Sequence, residues 1–140
     1  MFQMLHPDWQ ALLQDHKDLL ERIEQRFDAD PNAIPSKQNL LRAFAYPPSH
    51  YRVLIVGQDP YPNPAHAIGL AFAVPVGTQP LPPTLGNIFK ELRSDLGVQM
   101  VQQGDVAPWL DRGVMLLNRH LSTSADNSAA HLGFGWAEFT

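Results

Sequence analysis

Residues 57–72 read GQDPYPNPAHAIGLAF and follow directly on the apolar run Val53-Leu54-Ile55-Val56. An amide (Gln58), a carboxylate (Asp59) and a phenol (Tyr61) therefore sit in a loop stiffened by Pro60, Pro62 and Pro64. Asp59 is the only acid between Asp30 and Glu91. A carboxylate there can steady a developing cation or take a proton, and it can equally cap a turn through its own backbone. A plain turn requires neither Gln58 nor Tyr61. Asn118, at the end of a second apolar run, Gly113-Val-Met-Leu-Leu, is likewise either a site residue or one that merely satisfies a strand end or caps a following turn. Phe72, taken alone, is a core residue. Thr84 reads as the N-cap of the helix behind it. His66 and His120 stand singly, without the spacing of metal ligands. There is no H-E-x-x-H, no G-x-S-x-G and no phosphate-binding P-loop, so neither a catalytic metal nor a cofactor is expected.

The elements that must hold these groups follow from periodicity. Trp9, Leu12, Leu13, Leu20, Ile23 and Phe27 recur at helical spacing behind Asp8, a candidate N-cap. Ser36 is placed to cap a short helix carrying Leu40, Leu41 and Phe44, ending before Pro47-Pro48. Residues 51–56 read as a strand buried on both faces, and residues 70–74 as a short extended piece. Leu85, Ile88, Phe89, Leu92 and Leu96 mark an amphipathic helix stopped by Gly97. Residues 106–112 form a connection around Pro108 and Trp109. Residues 113–118 form a second buried strand, and Trp136 and Phe139 begin another helical turn. Two buried strands ending in polar residues, with helices between them, predict an α/β fold with a parallel sheet. Ligands bind such sheets at the carboxyl ends of the strands, which is where Gln58, Asp59 and Asn118 fall.

The 140 residues predict one domain, 1–140. The chain has no cysteine, which removes disulfides and thiolate chemistry and suits a cytoplasmic location. Acids interrupt the N-terminus where the apolar core of an export signal would lie. No Asp, Glu, Lys or Arg occurs from Pro60 to Phe89, but seven prolines in that window exclude a simple spanning helix. A net charge of −4 argues against a protein that grips nucleic acid by bulk electrostatics.

Taken in order, five segments resemble the family 1 uracil-DNA glycosylases. Val53-Leu-Ile-Val-Gly-Gln-Asp-Pro-Tyr61 is similar to the family's water-activating motif. Gly69-Leu-Ala-Phe72 resembles the segment that supplies a stacking aromatic. Leu81-Pro-Pro-Thr-Leu-Gly-Asn-Ile-Phe-Lys-Glu-Leu92 resembles the proline-rich loop and its helix. Gly113-Val-Met-Leu-Leu-Asn118 resembles the strand ending in the uracil-reading Asn. His131-Leu-Gly-Phe-Gly-Trp-Ala-Glu-Phe-Thr140 resembles a later Gly-Trp helix start. Three departures stand out. Pro62 follows Tyr61 where the family usually has His, Thr84 stands where it usually has Ser, and nothing matches the family's His-Pro-Ser-Pro-Leu motif, which supplies a catalytic histidine and a DNA-wedging leucine.

The resemblance implies a three-layer α/β domain around a central parallel sheet, cut short after the second core strand. It also implies hydrolysis of the N-glycosidic bond of uracil in DNA, as in base excision repair. Asp59 becomes the catalytic carboxylate, Gln58, Tyr61, Phe72 and Asn118 the uracil pocket, and Thr84 and His66 contacts to the DNA backbone. Uracil-containing DNA, single- or double-stranded, is the expected partner of a monomer, with any inhibitor protein left open. The alternative is a non-catalytic remnant that binds DNA or a protein partner.

The chemistry suits those assignments. A base inside a duplex must rotate out to be reached. Phe72 offers a flat apolar wall for it, and Tyr61 in its proline frame can block the methyl group of thymine. Asn118 carries a donor and an acceptor, so it matches uracil O4 and N3–H and mismatches cytosine. Asp59 can stabilise an oxocarbenium-like transition state and orient a water, while the Gln58 N–H can donate to uracil O2.

Overall fold

The computed structural model describes residues 1–97, 104 and 106–140. The N-terminal helical stretch is α1 (Pro7–Leu12) and α2 (Lys17–Ala29), separated by a 3-10 turn over Gln14–His16. The break turns Leu12 outward, whereas Leu19, Leu20, Ile23 and Phe27 of α2 enter the core. His6, not Asp8, caps α1: its Nδ1 accepts from the Asp8 N–H at 3.2 Å. Pro7 then occupies the first helical position, where its missing N–H leaves nothing unpaired. Ser36 precedes only a 3-10 turn, and its hydroxyl makes no cap bond.

The class expected from sequence, α/β with a parallel sheet, is the architecture found. β2 (Val53–Gly57) and β3 (Val114–Asn118) run parallel in the register Val53↔Val114 through Gly57↔Asn118. Between them the chain passes through α3 (Pro83–Leu96), closed by Gly97 at φ +65°, and the one-turn α4 (Pro108–Asp111). A second, antiparallel pair joins β1 (Ala33–Ile34) to β4 (Thr123–Ser124). No strand forms over residues 70–74. Gly69 (φ +80°), pressed against the backbone of Asn39, and Phe72 (φ +62°) break the extended run.

The two core strands differ sharply. Met115, Leu116, Leu117 and Asn118 of β3 are buried. The expectation that residues 51–56 are buried on both faces fails, since Val53, Leu54 and Val56 are 51%, 56% and 56% exposed. The reason is that β3 alone among the described elements both pairs with β2 and packs extensively against it, so the other edge is unpaired and the faces carrying Val53, Leu54 and Val56 are largely uncovered.

Gly57 is fixed by its neighbour. A Cβ there would collide with Asn118 Oδ1 and lie 3.0 Å from the Ala71 Cβ. The carboxyl end of the chain closes the core through α5 (Trp136–Phe139), whose Trp136 is fully buried. Trp136 Nε1 donates to Ser122 Oγ at 2.7 Å, Ser122 Oγ meets His131 Nδ1 at 2.8 Å, and His131 Nε2 meets Asp30 Oδ2 at 3.0 Å. The Asn32 backbone N–H foremost, and His131 next, hold the Asp30 carboxyl below its usual value.

Three outcomes are expected. Gly57→Ala should lose about 1–3 kcal/mol, the usual cost of overpacking, seen as a lower urea midpoint together with a displaced Asn118 side-chain amide resonance. Leu54→Lys should leave the thermal midpoint of the 140-residue chain unchanged and reduce any aggregation seen in light scattering on heating, because it charges an open strand rather than a packed one. Because Asp30 has a lowered folded pKa, its stabilisation is present above the unfolded value and lost as pH falls through the folded one. Asp30→Asn should therefore flatten the acid limb of a stability-versus-pH curve while leaving its alkaline limb unchanged.

Candidate active site

At the carboxyl ends of β2 and β3 lies a pocket lined by residues 57–62 together with Leu70, Phe72, Thr84, Asn118 and Ser128. It brings together Gln58, Asp59, Tyr61, Phe72, Asn118 and Thr84, six of the seven residues singled out from sequence. His66 lies outside the lining. Its ring stands edge-on to Tyr61 at a centroid distance of 6.3 Å.

Each side chain owes its place to a local feature. Asn118 ends β3 and is 7% exposed, facing the bare Cα of Gly57. Past the strand ends the backbone pairing continues, with Arg119 N–H donating to Gly57 O and His120 N–H to Gln58 O, both at 2.9 Å. The carbonyls behind the motif are thereby occupied, and the loop leaves the sheet in a fixed direction. Phe72 enters the pocket from a left-handed backbone position, φ +62°, just after Ala71 N–H donates to Leu116 O of β3 at 3.2 Å. A positive φ on an aromatic residue costs energy that the surrounding structure must offset.

Tyr61 and Thr84 meet at 2.9 Å between hydroxyl oxygens. Burial, first, pushes the Tyr61 phenol above its ordinary value, and the Thr84 contact opposes it. The ring is therefore neutral across the physiological range. Thr84 is not the N-cap expected from sequence. Pro82 holds that position with no side-chain cap bond, and Thr84 sits in the first turn behind Pro83. Its hydroxyl is consequently available to Tyr61 rather than spent on its own helix.

Asp59 is held from a distant part of the chain. Its Oδ2 accepts from the Ala129 N–H at 2.7 Å and from Ser128 Oγ at 3.0 Å, and Oδ1 takes neither bond. The same segment is pinned to the motif a second time, by Asp126 N–H donating to Pro62 O at 2.9 Å. Asp126 and Ala129 both adopt left-handed φ, +59° and +61°. Sequence reasoning missed Ser128 and Ala129. The Asp126-Asn127 pair signals a turn, but nothing local announces that the turn returns to Asp59. His120, next to the site, is buried with Nδ1 unpartnered among the described groups. Burial, then the Arg119 charge, lowers its pKa, and the Asp59 carboxylate acts in the opposite sense.

The pocket thus offers an aromatic face, an amide with both hydrogen-bond senses, a neutral phenol and a carboxylate anchored by one oxygen. This set suits a flat, polar-edged heterocycle presented to an acid. Among the described residues no group of three or more His, Cys, Asp or Glu is arranged to hold a metal ion, and no helix is long and apolar enough to cross a membrane.

Comparison with known proteins gives the pocket a family context. No family model matches the chain. Two sequence relatives are the uracil-DNA glycosylases of Mycobacteroides abscessus, 45% identical over 96% of this chain and 61% of the relative, and of Mycobacterium tuberculosis, 43% identical over 99% and 63%. The chain spans about three fifths of the length of the curated relatives it matches. Among solved structures, mimivirus uracil-DNA glycosylase superposes with a TM-score of 0.85 at 26% identity, over 97% of this chain and 54% of that one. A mimivirus UNG variant in complex with UGI gives 0.87 at 25% identity, over 99% and 56%. The UNG from Nitratifractor salsuginis shares the fold, with a TM-score of 0.66 at 21% identity over 99% of this chain and 68% of that one. Over the part of their length that it spans, this chain is a homologue of the uracil-DNA glycosylases in both sequence and fold.

Proposed function

We propose that the chain binds a uracil flipped out of DNA and hydrolyses its N-glycosidic bond. The observation that carries this reading is the convergence of Asp59, Tyr61, Phe72 and Asn118 on one pocket at the carboxyl rim of the parallel pair. In this scheme Phe72 stacks on the base, since every base has a π-face and an aromatic wall holds it without sequence preference. Asn118 donates to O4 and accepts from N3–H. Cytosine presents the opposite pattern and leaves buried polar groups unpaired, at about 1–3 kcal/mol each. Tyr61, hydrogen-bonded to Thr84 and edge-on to the His66 ring, occupies the volume that a thymine methyl needs.

Bond breaking leaves positive charge on the sugar and negative charge on the base. Asp59 as carboxylate stabilises the sugar cation and orients a water toward C1′ through Oδ1, because Oδ2 is engaged by Ser128 and Ala129. The Gln58 backbone N–H donates to uracil O2. Thr84 belongs to the phosphate-contacting side of the pocket, where small hydroxyls and backbone amides position a nucleic acid without a strongly basic surface. This fits a net charge of −4. His66 serves the DNA backbone from the same loop. No residue of the chain corresponds to the second donor that the family's later histidine motif supplies. A missing donor of that kind costs ~10²–10³ in rate, so slow turnover is expected. The reading includes DNA of either strandedness as substrate, a monomeric state and a cytoplasmic location. The UGI complex of the mimivirus protein makes a UGI-like protein a candidate partner.

The test is base release from a single-stranded oligonucleotide carrying one uracil, read as alkali-labile cleavage without added metal. Release should be measurable for the wild type and should vanish in Asp59→Asn, with the thermal midpoint retained. A folded wild-type chain that releases no uracil, or an Asp59→Asn variant that releases it equally, overturns the proposal. The first of these results favours a binding role without catalysis.

A further inference from the structure

Among the described residues lining the pocket Asp59 is the one carboxylate, and it works only in a rotation that aims an oxygen at the reacting atoms. Two chemically different groups set that rotation. The Ala129 N–H, at 2.7 Å, is backbone and would be present whatever side chain the residue carried. Ser128 Oγ, at 3.0 Å, is a side-chain donor on the same Oδ2 and itself lines the pocket. Their segment is strained and tethered: Asp126 and Ala129 hold left-handed φ, and Asp126 N–H and Ala125 N–H are tied to Pro62 O and Asn32 O at 2.9 and 2.8 Å. A frame tied at these two points just before Ser128 delivers its hydroxyl to one place. Two donors converging on Oδ2 resist rotation about the Cβ–Cγ bond far better than one, because a single bond can act as a pivot.

We propose that Ser128 is a positioning residue for Asp59, locking the carboxylate so that Oδ1 faces the bound nucleotide. The assignment rests on the glycosylase reading for its catalytic consequence, but its geometric part stands apart from it. Ser128 is exposed and bonded to Asp59 through its hydroxyl alone, so the chain should fold without that group. Removing it leaves Ala129 as the single donor and frees the carboxylate to swing.

The test compares Ser128→Ala and Ser128→Thr with the wild-type chain. In crystal structures, Asp59 of Ser128→Ala should rotate or occupy two rotamers, and Ser128→Thr should restore the single one. In uracil release, Ser128→Ala should lower kcat on the order of 10-fold with KM unchanged, inside the about 10²-fold that a 1 Å misplacement costs. Ser128→Thr should recover most of it. An Asp59 carboxylate that stays in place in Ser128→Ala overturns the assignment whether or not the chain is active. A rotated carboxylate with unchanged kcat in an active chain overturns its catalytic part. A wild-type chain that releases no uracil overturns the functional reading instead, and the Ser128→Ala structure still decides where Ser128 stands.

Discussion

The whole site depends on one close approach, that of the Asn118 side chain to the bare Cα of Gly57. The parallel register of β2 and β3 sets these residues opposite each other at the last paired position. Only a residue without Cβ lets the amide settle there. Once it does, the loop that leaves β2 and the residue that ends β3 share a rim, and the carboxylate, the phenol and the amide face one volume. The same contact explains why the glycine precedes Gln58-Asp59. It is a spacing device for the neighbouring strand, made necessary by packing rather than by backbone freedom.

Around that contact the structure divides into a supported half and an open half. β3 is buried and receives α4 and the turn at Arg42–Phe44, with Ala71 bonded to its Leu116 carbonyl. β2 supplies the motif loop but exposes Val53, Leu54 and Val56. The loop is therefore held less by its own strand than by its far end. Pro62 and Asp59 are tied to residues 126–129, and Tyr61 is tied to the start of α3. This arrangement puts the rigidity where the chemistry is, at the carboxyl rim.

Much of this was legible in the sequence. Strongly periodic segments such as 85–96, with its Gly97 stop, and the apolar runs at 53–56 and 114–117 gave the elements and their parallel class. Polar residues placed just past those runs gave the rim, and six of seven candidate residues line one pocket. What failed did so for identifiable reasons. The apolar composition of residues 51–56 reads as burial, but burial depends on which elements pair with β2 and cover its faces, and composition carries no such information. Thr84 looked like a cap because Thr before an apolar run usually is one, yet Pro82-Pro83 starts the helix earlier and releases the hydroxyl. Ser128 and Ala129 are invisible in the sequence because their partner lies 69 and 70 positions away, and the left-handed φ of Ala129 is one that its residue type does not announce.

The central claim is that a uracil-shaped pocket is already assembled within these 140 residues. It is tested most directly by adding free uracil, and separately free cytosine, to the isotope-labelled chain and following the side-chain resonances of Asn118, Phe72 and Tyr61. The account predicts that uracil moves all three saturably and that cytosine moves them far less, because it reverses the donor and acceptor edge that Asn118 meets. Equal responses to the two bases, or no response to either, would contradict it.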